Sequence, residues 1–205
     1  MQNDFSRLKE KYGMNITGIV HVGAHYGDEI PEYLLNGVKN IVCFEPLKQN
    51  LLILRRKESD IVKIFPFALG NEEKNVIMHI SSNKAKSSSV LRPKKHLIRH
   101  PRTKFIGTEE VSMKKMISFK SEVQGCNYLC LDVQGFEYEV LLGAQDLIAQ
   151  FDYMYVEVNR DETYENNHLI GDIDVLLSKH HFVRVETIWE GGIWGNALYI
   201  KSGKS

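Results

Sequence analysis

Short apolar runs alternate with amphipathic stretches along most of this chain, and the alternation predicts strands and helices in turn. The runs have the length of buried strands and span residues 16–22, 41–44, 61–68, 128–133 and 153–158. The amphipathic stretches carry apolar residues every three or four positions and span 33–38, 47–54, 136–148 and 168–179. This order is typical of a doubly wound, Rossmann-like α/β fold, with a mostly parallel sheet and helices on both faces.

Two further segments add strands to the expected fold. Residues 76–80 predict a short strand at a sheet edge. Residues 182–188 and 197–200 predict a terminal hairpin, whose turn contains three glycines, Gly191, Gly192 and Gly195.

The segment 84–104 departs from this alternation. It holds eight Lys or Arg residues, two His and no acid, and two prolines interrupt any long element. We expect an irregular lid or insertion beside the site, whose charge suits an anionic acceptor, with a solvated loop as the alternative. Aromatic residues are nearly absent there, so nucleic-acid binding by base stacking has little support.

Composition indicates one ordinary globular domain over residues 1–205, with 43% hydrophobic and 25% charged residues. Basic and acidic residues number 26 each, so net charge points to no class of partner. The chain has neither the apolar start of a signal peptide nor the roughly 18 apolar residues of a membrane span, so we expect a cytoplasmic protein. The three cysteines match no zinc-ligand spacing and are expected to be reduced packing residues.

Polar residues and glycines follow the predicted strands, where doubly wound sheets bind ligands. Gly23 and Gly27 follow the first strand and permit a sharp turn against a nucleotide-like ligand, although a plain strand-to-helix turn explains them equally. Glu45 ends the second strand 22 residues after Gly23, close to the interval at which a carboxylate meets ribose hydroxyls. The alternative for Glu45 is an exposed acid before a helix.

The most distinctive stretch is the hexapeptide DVQGFE at 132–137, directly after the fourth strand. Asp132 or Gln134 should project into the ligand crevice, while Gly135 permits a close approach of the backbone. A helix N-cap is the alternative role for Asp132.

With these motifs in view, the chain resembles the FkbM-type family of S-adenosylmethionine-dependent methyltransferases, within the class I methyltransferase fold. The resemblance spans roughly residues 16–200 and is most specific at 128–144. It is carried by IVHVGAHYGDE, IVCFEPLKQNLLILR, FPFALGN, SSSVL, YLCLDVQGFEYEVLLGA and YMYVEV. The family implies a seven-stranded sheet with an antiparallel last strand, with S-adenosylmethionine along the first three strand ends.

The resemblance also implies a role for individual residues. Gly23, Ala24 and Gly27 would pack against the methionine part, Glu45 would hold the ribose, and Asp132 would face the methyl group. Ala68 and Leu69 would border the adenine. One departure is His21, which stands where these enzymes commonly carry Asp or Glu. The expected cofactor-binding set is His21, Gly23, Ala24, Gly27, Glu45, Pro46, Ala68, Leu69, Asp132 and Gln134.

For methyl transfer to a hydroxyl, Asp132 is the expected general base or acceptor-orienting group. An imidazole would share this task, with His168 as our first choice and His25 and His79 as further candidates. A divalent cation is a weaker alternative, held by Asp132 and Glu157 together with Asp161, Glu162 or His168.

The resemblance suggests a sugar hydroxyl in a polysaccharide or other glycoconjugate as the acceptor. Trp189 and Trp194 would stack on a sugar ring, or simply pack the hairpin. Two alternatives remain: a cofactor-binding or glycan-binding module without catalysis, which the His21 departure keeps open, and a nicotinamide-dependent oxidoreductase. The latter lacks the third glycine of its fingerprint.

Overall fold

The computed structural model describes residues 4–99, 101–190 and 192–203. Gly191, one glycine of the expected hairpin turn, and position 100 of the basic segment lie outside these ranges. The helices are α1 Phe5–Lys11, α2 Ile30–Leu35, α3 Lys48–Leu54, α4 His96–Arg99, α5 Glu137–Ala144 and α6 Ile170–Ser178. The strands are β1 Ile19–Val22, β2 Ile41–Phe44, β3 Val62–Phe65, β4 Ala68–Leu69, β5 Lys74–Ser81, β6 Phe105–Lys114, β7 Tyr128–Leu131, β8 Tyr153–Asn159, β9 Phe182–Glu190 and β10 Trp194–Lys201. Short 3₁₀ helices cover Arg55–Lys57, Met116–Phe119 and Gln145–Gln150.

A seven-stranded sheet in the order β3-β2-β1-β7-β8-β10-β9 forms the centre of the molecule. The first five strands in this order, β3, β2, β1, β7 and β8, are parallel to one another. Strand β10 runs antiparallel to both β8 and β9. The sequence-based fold is therefore confirmed, including the antiparallel last strand. The strand order reverses between β1 and β7, so the ligand crevice is expected at their carboxyl ends.

Alternate residues of the central strands pack against helices on opposite faces, because successive side chains of a strand point to opposite sides. Val20 and Val22 of β1 belong to the apolar core that contains residues of α5 and α6. Ile19 belongs to the other core, which contains residues of α1, α2 and α3. The cysteines Cys43, Cys126 and Cys130 are buried.

A second, three-stranded sheet contains parts of two expected strands and corrects one of them. The apolar run 61–68 does not form one strand: β3 ends at Phe65, and Ala68 begins β4 in the second sheet. Pro66 follows β3 directly and lacks the N–H that a continued strand would donate. The segment 76–80 lies within β5, which is an edge strand as predicted, but of the second sheet.

The second sheet has the order β4-β6-β5, and the basic segment 84–104 connects β5 to β6. The apolar pattern did not predict β6, because residues 105–110, the first part of this strand, contain no buried side chain. Within the described ranges, no helix is long and apolar enough to cross a membrane.

Candidate active site

A close backbone crossing joins the first turn to the DVQGFE loop. Gly23 follows β1 with φ +79°, and its N–H donates to the carbonyl of Phe44 at 2.9 Å. A Cβ at this position would lie 1.9 Å from the carbonyl oxygen of Asp132. Only glycine fits here, for reasons of both space and conformation. The crossing therefore holds the ends of β1, β2 and β7 against one another.

A cavity of about 340 Å³ opens at this end of the large sheet. This volume lies in the range of small-molecule and cofactor sites. Nine of the ten expected cofactor residues line it: His21, Gly23, Ala24, Glu45, Pro46, Ala68, Leu69, Asp132 and Gln134. Gly27 does not line it. A Cβ at Gly27 would meet the side chains of Ile30 and Leu54, so this glycine packs in the core between α2 and α3.

Glu45 brings a buried carboxylate to the cavity wall. Its side chain accepts hydrogen bonds from the backbone N–H of His25 at 2.8 Å and of Leu47 at 2.9 Å, and from the Asn50 amide at 3.2 Å. Burial disfavours the charged form and raises the pKa of Glu45 to about 7, although these donors oppose the effect. Three donors therefore hold the carboxylate in place for a ligand with hydroxyl groups.

His21 lies in β1 and is buried at the base of the cavity. Burial lowers the pKa of its imidazole, so the ring is neutral at neutral pH. Its Nδ1 lies 3.3 Å from the hydroxyl oxygen of Tyr33. A neutral ring in this place offers a hydrogen-bonding group without a charge.

Asp132 and Glu157 lie together on the other side of the crevice, after β7 and within β8. The side-chain amide of Gln134 donates to Asp132 at 2.7 Å and to Glu157 at 2.6 Å. Burial and the neighbouring Asp132 charge raise the pKa of Glu157 well above its usual range. Burial acts in the same direction on Asp132, but its hydrogen bonds with Glu157 and Gln134 outweigh it and lower the pKa.

A buried glutamate shapes the loop that carries these groups. Glu137 accepts hydrogen bonds from the backbone N–H of Val133 at 3.0 Å and of Gly135 at 3.2 Å. Burial raises its pKa to about 8. Glu137 therefore stabilises the loop through hydrogen bonds to its backbone, while Asp132 and Gln134 face the cavity.

The basic segment 84–104 packs onto the site through its first half. The carbonyl of Lys84 lies 2.7 Å from Nε2 of His25, and the Ser89 hydroxyl donates to the carbonyl of Gln134 at 2.8 Å. Tyr164 is buried, and its hydroxyl lies 2.8 Å from Oε1 of Gln134. The segment thus forms a wall of the cavity, and a hydrogen bond from Ser89 joins it to the DVQGFE loop.

Several residues that line the cavity were not predicted from the sequence, because they do not lie at the ends of strands. These are chiefly Asn50, Asn83, Lys86, Ser87, Ser88, Thr163 and Tyr164. Asn50 follows Glu45 by five residues on α3, so a signal for it was present. Tyr164 and Thr163 lie in a loop after β8, where a local pattern carries no such signal.

Of the residues proposed as metal ligands, Asp132 and Glu157 lie together, but Asp161, Glu162 and His168 make their contacts elsewhere. Asp161 pairs with Lys95 at 2.7 Å, and Glu162 pairs with Lys94, both in the basic segment. Over residues 4–99, 101–190 and 192–203, no group of three or more His, Cys, Asp or Glu side chains is arranged to hold a metal ion. These pairs also neutralise two of the cations that the basic segment was expected to present.

Among the other candidates, His25 and Trp194 line the cavity, whereas His79 and Trp189 do not. His79 lies in β5 of the second sheet. Trp189 lies in β9 with the Arg160 guanidinium 3.6 Å from its ring centroid. Of the two tryptophans proposed as sugar platforms, the structure brings one to the site.

The structure places His168 outside the cavity. Its ring stacks on Tyr138 at 3.8 Å between centroids, and its nitrogens lie 3.5 Å from Glu139 and 3.4 Å from Asp172. These contacts belong to the outer surfaces of α5 and α6.

We therefore expect His168→Ala to leave the activity of this site within about twofold of the wild type, since the ring lies outside the cavity. His25→Ala, at the cavity wall, is the matched comparison. Steady-state rates of both variants measure the effect, and a loss of tenfold or more (about 1.4 kcal/mol) in His168→Ala would restore the histidine as a catalytic candidate.

Comparisons with known proteins agree with this geometry. A family model described as the methyltransferase FkbM domain matches residues 21–184. The chain is 24% identical over 158 residues to the 2-O-methyltransferase NoeI of Sinorhizobium fredii, across 72% of this chain. The match spans 65% of the length of that relative.

Solved structures share the fold. Magnesium protoporphyrin IX methyltransferase from Synechocystis PCC 6803, with bound S-adenosylmethionine, has a TM-score of 0.51 at 10% identity, covering 95% of this chain and 74% of its own. TrmK of M. capricolum, in complex with S-adenosylhomocysteine, has a TM-score of 0.52 at 11% identity, covering 97% and 68%. At such low identity these likenesses concern the fold alone.

Proposed function

This chain belongs to the FkbM family of methyltransferases, and we propose that it transfers a methyl group from S-adenosylmethionine to a hydroxyl oxygen of a sugar. The observation that carries the proposal is the buried Glu45 carboxylate, held by three donors on the wall of a cavity beside the Gly23 turn. A fixed carboxylate at this place suits the two hydroxyl groups of a ribose. Family membership favours this activity over the nicotinamide-dependent alternative.

The residues present fit S-adenosylmethionine at each part of the cavity. Pro46, Ala68 and Leu69 supply an apolar wall suited to an adenine ring, next to Glu45 for the ribose. Gly23 and Ala24 leave room for the methionine part near His21.

When bound, S-adenosylmethionine supplies an electrophilic methyl group on a sulfonium. The protein's task is to align the acceptor oxygen with that methyl group and to take the hydroxyl proton. Asp132 faces the cavity at the reversal point of the strand order and is the proposed base. Water is kept from this corner by the segment 84–104 and by Tyr164.

The acceptor would enter on the side of the cavity lined by the basic segment, Thr163 and Trp194. The indole of Trp194 suits the apolar face of a sugar ring, while Ser87, Ser88 and Asn83 offer hydrogen-bonding groups. Lys86 adds a positive charge, so we propose that an acidic sugar is accepted. The name of the relative NoeI, a 2-O-methyltransferase, supports oxygen as the methylated atom. We propose a cytoplasmic location, which three buried cysteines without a zinc-ligand spacing fit.

Calorimetric titration with S-adenosylmethionine tests the cofactor site. Glu45→Gln is expected to weaken binding about 10- to 100-fold, since hydrogen bonds to a charged group are lost. Glu110→Gln, on the exposed side of β6, is the matched control and should bind as the wild type does.

The affinity should also depend on pH. The pKa of Glu45 is about 7, so the carboxylate that accepts ribose hydroxyls is present above this pH and is lost below it. Affinity should therefore fall as the pH drops below about 7, by up to about tenfold per unit, and this dependence should disappear in Glu45→Gln. Binding that is insensitive to both pH and the substitution would place the cofactor elsewhere.

A screen of neutral and acidic methyl glycosides then tests the acceptor class, with mass spectrometry to detect an added methyl group. The second candidate function, a module that binds the cofactor without turnover, follows from His21 at a position where an acid is common. Tight S-adenosylmethionine binding without transfer to any glycoside would favour that module.

A further inference from the structure

Two carboxyl groups lie side by side at the ends of β7 and β8. Leu131 of β7 pairs with Val156 of β8 in parallel register, so the next residues, Asp132 and Glu157, are level. Level residues on neighbouring parallel strands point to the same side of the sheet. Both residues line the cavity, and their side chains share a hydrogen bond. They therefore form a pair that faces the reacting groups.

Gln134 is bound to both members of the pair. One amide nitrogen carries two protons, and Nε2 of Gln134 donates one to each carboxyl group, at 2.7 and 2.6 Å. The residue has φ +56°, in the left-handed region that is uncommon for a side-chain-bearing residue. Hydrogen bonds from Ser89 to its carbonyl and from Tyr164 to its side-chain oxygen hold it in this conformation. The position of the amide is thus fixed from both ends.

Glu157 is buried and the adjacent Asp132 is partly buried. Two carboxyl groups so close together do not both ionise at neutral pH, because each negative charge disfavours the other. The pKa directions agree: that of Asp132 is lowered and that of Glu157 is raised well above its usual range. Glu157 is therefore the protonated member and donates to ionised Asp132.

We propose that Asp132 and Glu157 act as one unit that carries a single proton at neutral pH, and that Gln134 is the positioning residue that keeps this unit facing the acceptor. The inference rests on the proposed methyl transfer and adds to it the state of the base and the means by which it is held. Gln134, expected from sequence to bind the cofactor, acts here through Asp132 and Glu157.

Three titratable neighbours of the unit have a pKa shifted by burial. His21 on β1 is neutral because of burial, and Glu137 at the start of α5 has a pKa raised to about 8. The phenol of Tyr164 has a pKa raised well above its usual range by burial. These three groups are neutral at pH 7, and the basic residues on the wall of the same cavity include Lys86 and His25.

The chemical step balances with this unit as the proton acceptor. The bond from acceptor oxygen to methyl carbon forms as the carbon–sulfur bond breaks, and sulfur keeps the bonding electron pair. The hydroxyl proton passes to Asp132, which then releases it to water. Glu157 keeps its own proton throughout and stabilises the charge on Asp132 before the transfer.

Carboxyl ¹³C NMR of the full chain, labelled in the side chains of Asp and Glu, measures the two protonation states directly. The Glu157 signal, assigned by its absence in Glu157→Gln, is expected at the neutral-acid position at pH 7. The Asp132 signal, assigned with Asp132→Asn, is expected at the carboxylate position. A Glu157 carboxyl that is ionised at pH 7 would overturn the proposal.

Gln134→Met tests the positioning role in the same experiment. Loss of the amide donor should raise the pH at which Asp132 titrates by about one unit. The reason is that a hydrogen bond to a carboxylate stabilises its charged form. Gln150→Met is the matched control: it removes an amide that donates to the carbonyls of Val123 and Cys126, far from the pair. An Asp132 titration unchanged in Gln134→Met would refute the role of Gln134.

A comparison of cofactor affinity with kcat separates a positioning role of Gln134 from a role in cofactor binding. Gln134→Met should leave the dissociation constant for S-adenosylmethionine within about twofold while kcat falls about tenfold or more. The control Gln150→Met, whose amide donates to the carbonyls of Val123 and Cys126, should keep both the dissociation constant and kcat within about twofold of the wild type. A Gln134→Met variant that instead loses cofactor binding would contradict the proposal.

The NMR experiment needs no acceptor, so it gives an answer even if the sugar screen fails. Failure of the proposed function would appear in the calorimetric titration and the screen, whereas failure of this inference would appear in the carboxyl signals.

Discussion

Asp132→Asn is expected to lower kcat for methyl transfer at least about 100-fold, which is the usual contribution of a positioned general base. The amide keeps the size of the carboxyl group and its contact with Gln134, but it has no place for the hydroxyl proton. Cofactor binding should stay within about threefold, because this proton transfer concerns the acceptor and not the ribose or the adenine.

The measurement is a pair of titrations, one of rate against acceptor concentration and one of S-adenosylmethionine binding by calorimetry. Asp28→Asn is the control: Asp28 also lines the cavity, so it tests whether any acid on the wall has the same effect. Equal losses in the two variants would show a general effect of charge on the cavity and would remove Asp132 as the base.

Gly23→Ala is expected to have the largest effect on stability. The new Cβ would lie 1.9 Å from the carbonyl oxygen of Asp132, so the backbone of one of the two loops must move. Gly37→Ala is a close match, because Gly37 has φ +81° against +79° for Gly23 but has no atom within 4 Å of its Cβ position. Both variants carry the cost of a left-handed alanine, about 1–2 kcal/mol, and only Gly23→Ala adds the collision.

Urea unfolding of the two variants isolates the collision. We expect Gly23→Ala to be less stable than Gly37→Ala by at least about 2 kcal/mol, in the range of severe core substitutions. It should also weaken S-adenosylmethionine binding, because a shift of this loop moves the base of the cavity. Equal stability of the two variants would show that the crossing is not tightly packed in solution.

Local patterns predicted the large sheet well, because strand and helix each leave a periodic signature within a few residues. The apolar run 41–44 corresponds to β2 to the residue, and 153–158 corresponds to β8 to within one residue. The prediction of one strand over 61–68 was wrong because this run contributes to two sheets. A run of apolar residues indicates that a segment is buried, but it does not indicate which strand the segment pairs with.

The sequence by itself determined the α/β architecture and the part of the cavity wall formed by the strand ends. Parallel strands end at one edge of a sheet, so Gly23, Glu45 and Asp132, each placed at or just after a strand end, had to come near one another. Only the tertiary structure decided the remaining contacts, because they join segments that are distant in the chain. Ser89 and Tyr164 reach Gln134 from separate loops, and His168, although close in sequence to Tyr164, points away along α6. The periodicity of apolar residues indicates which side of each segment is buried. The contacts between irregular loops depend instead on the positions of the strands that the loops connect.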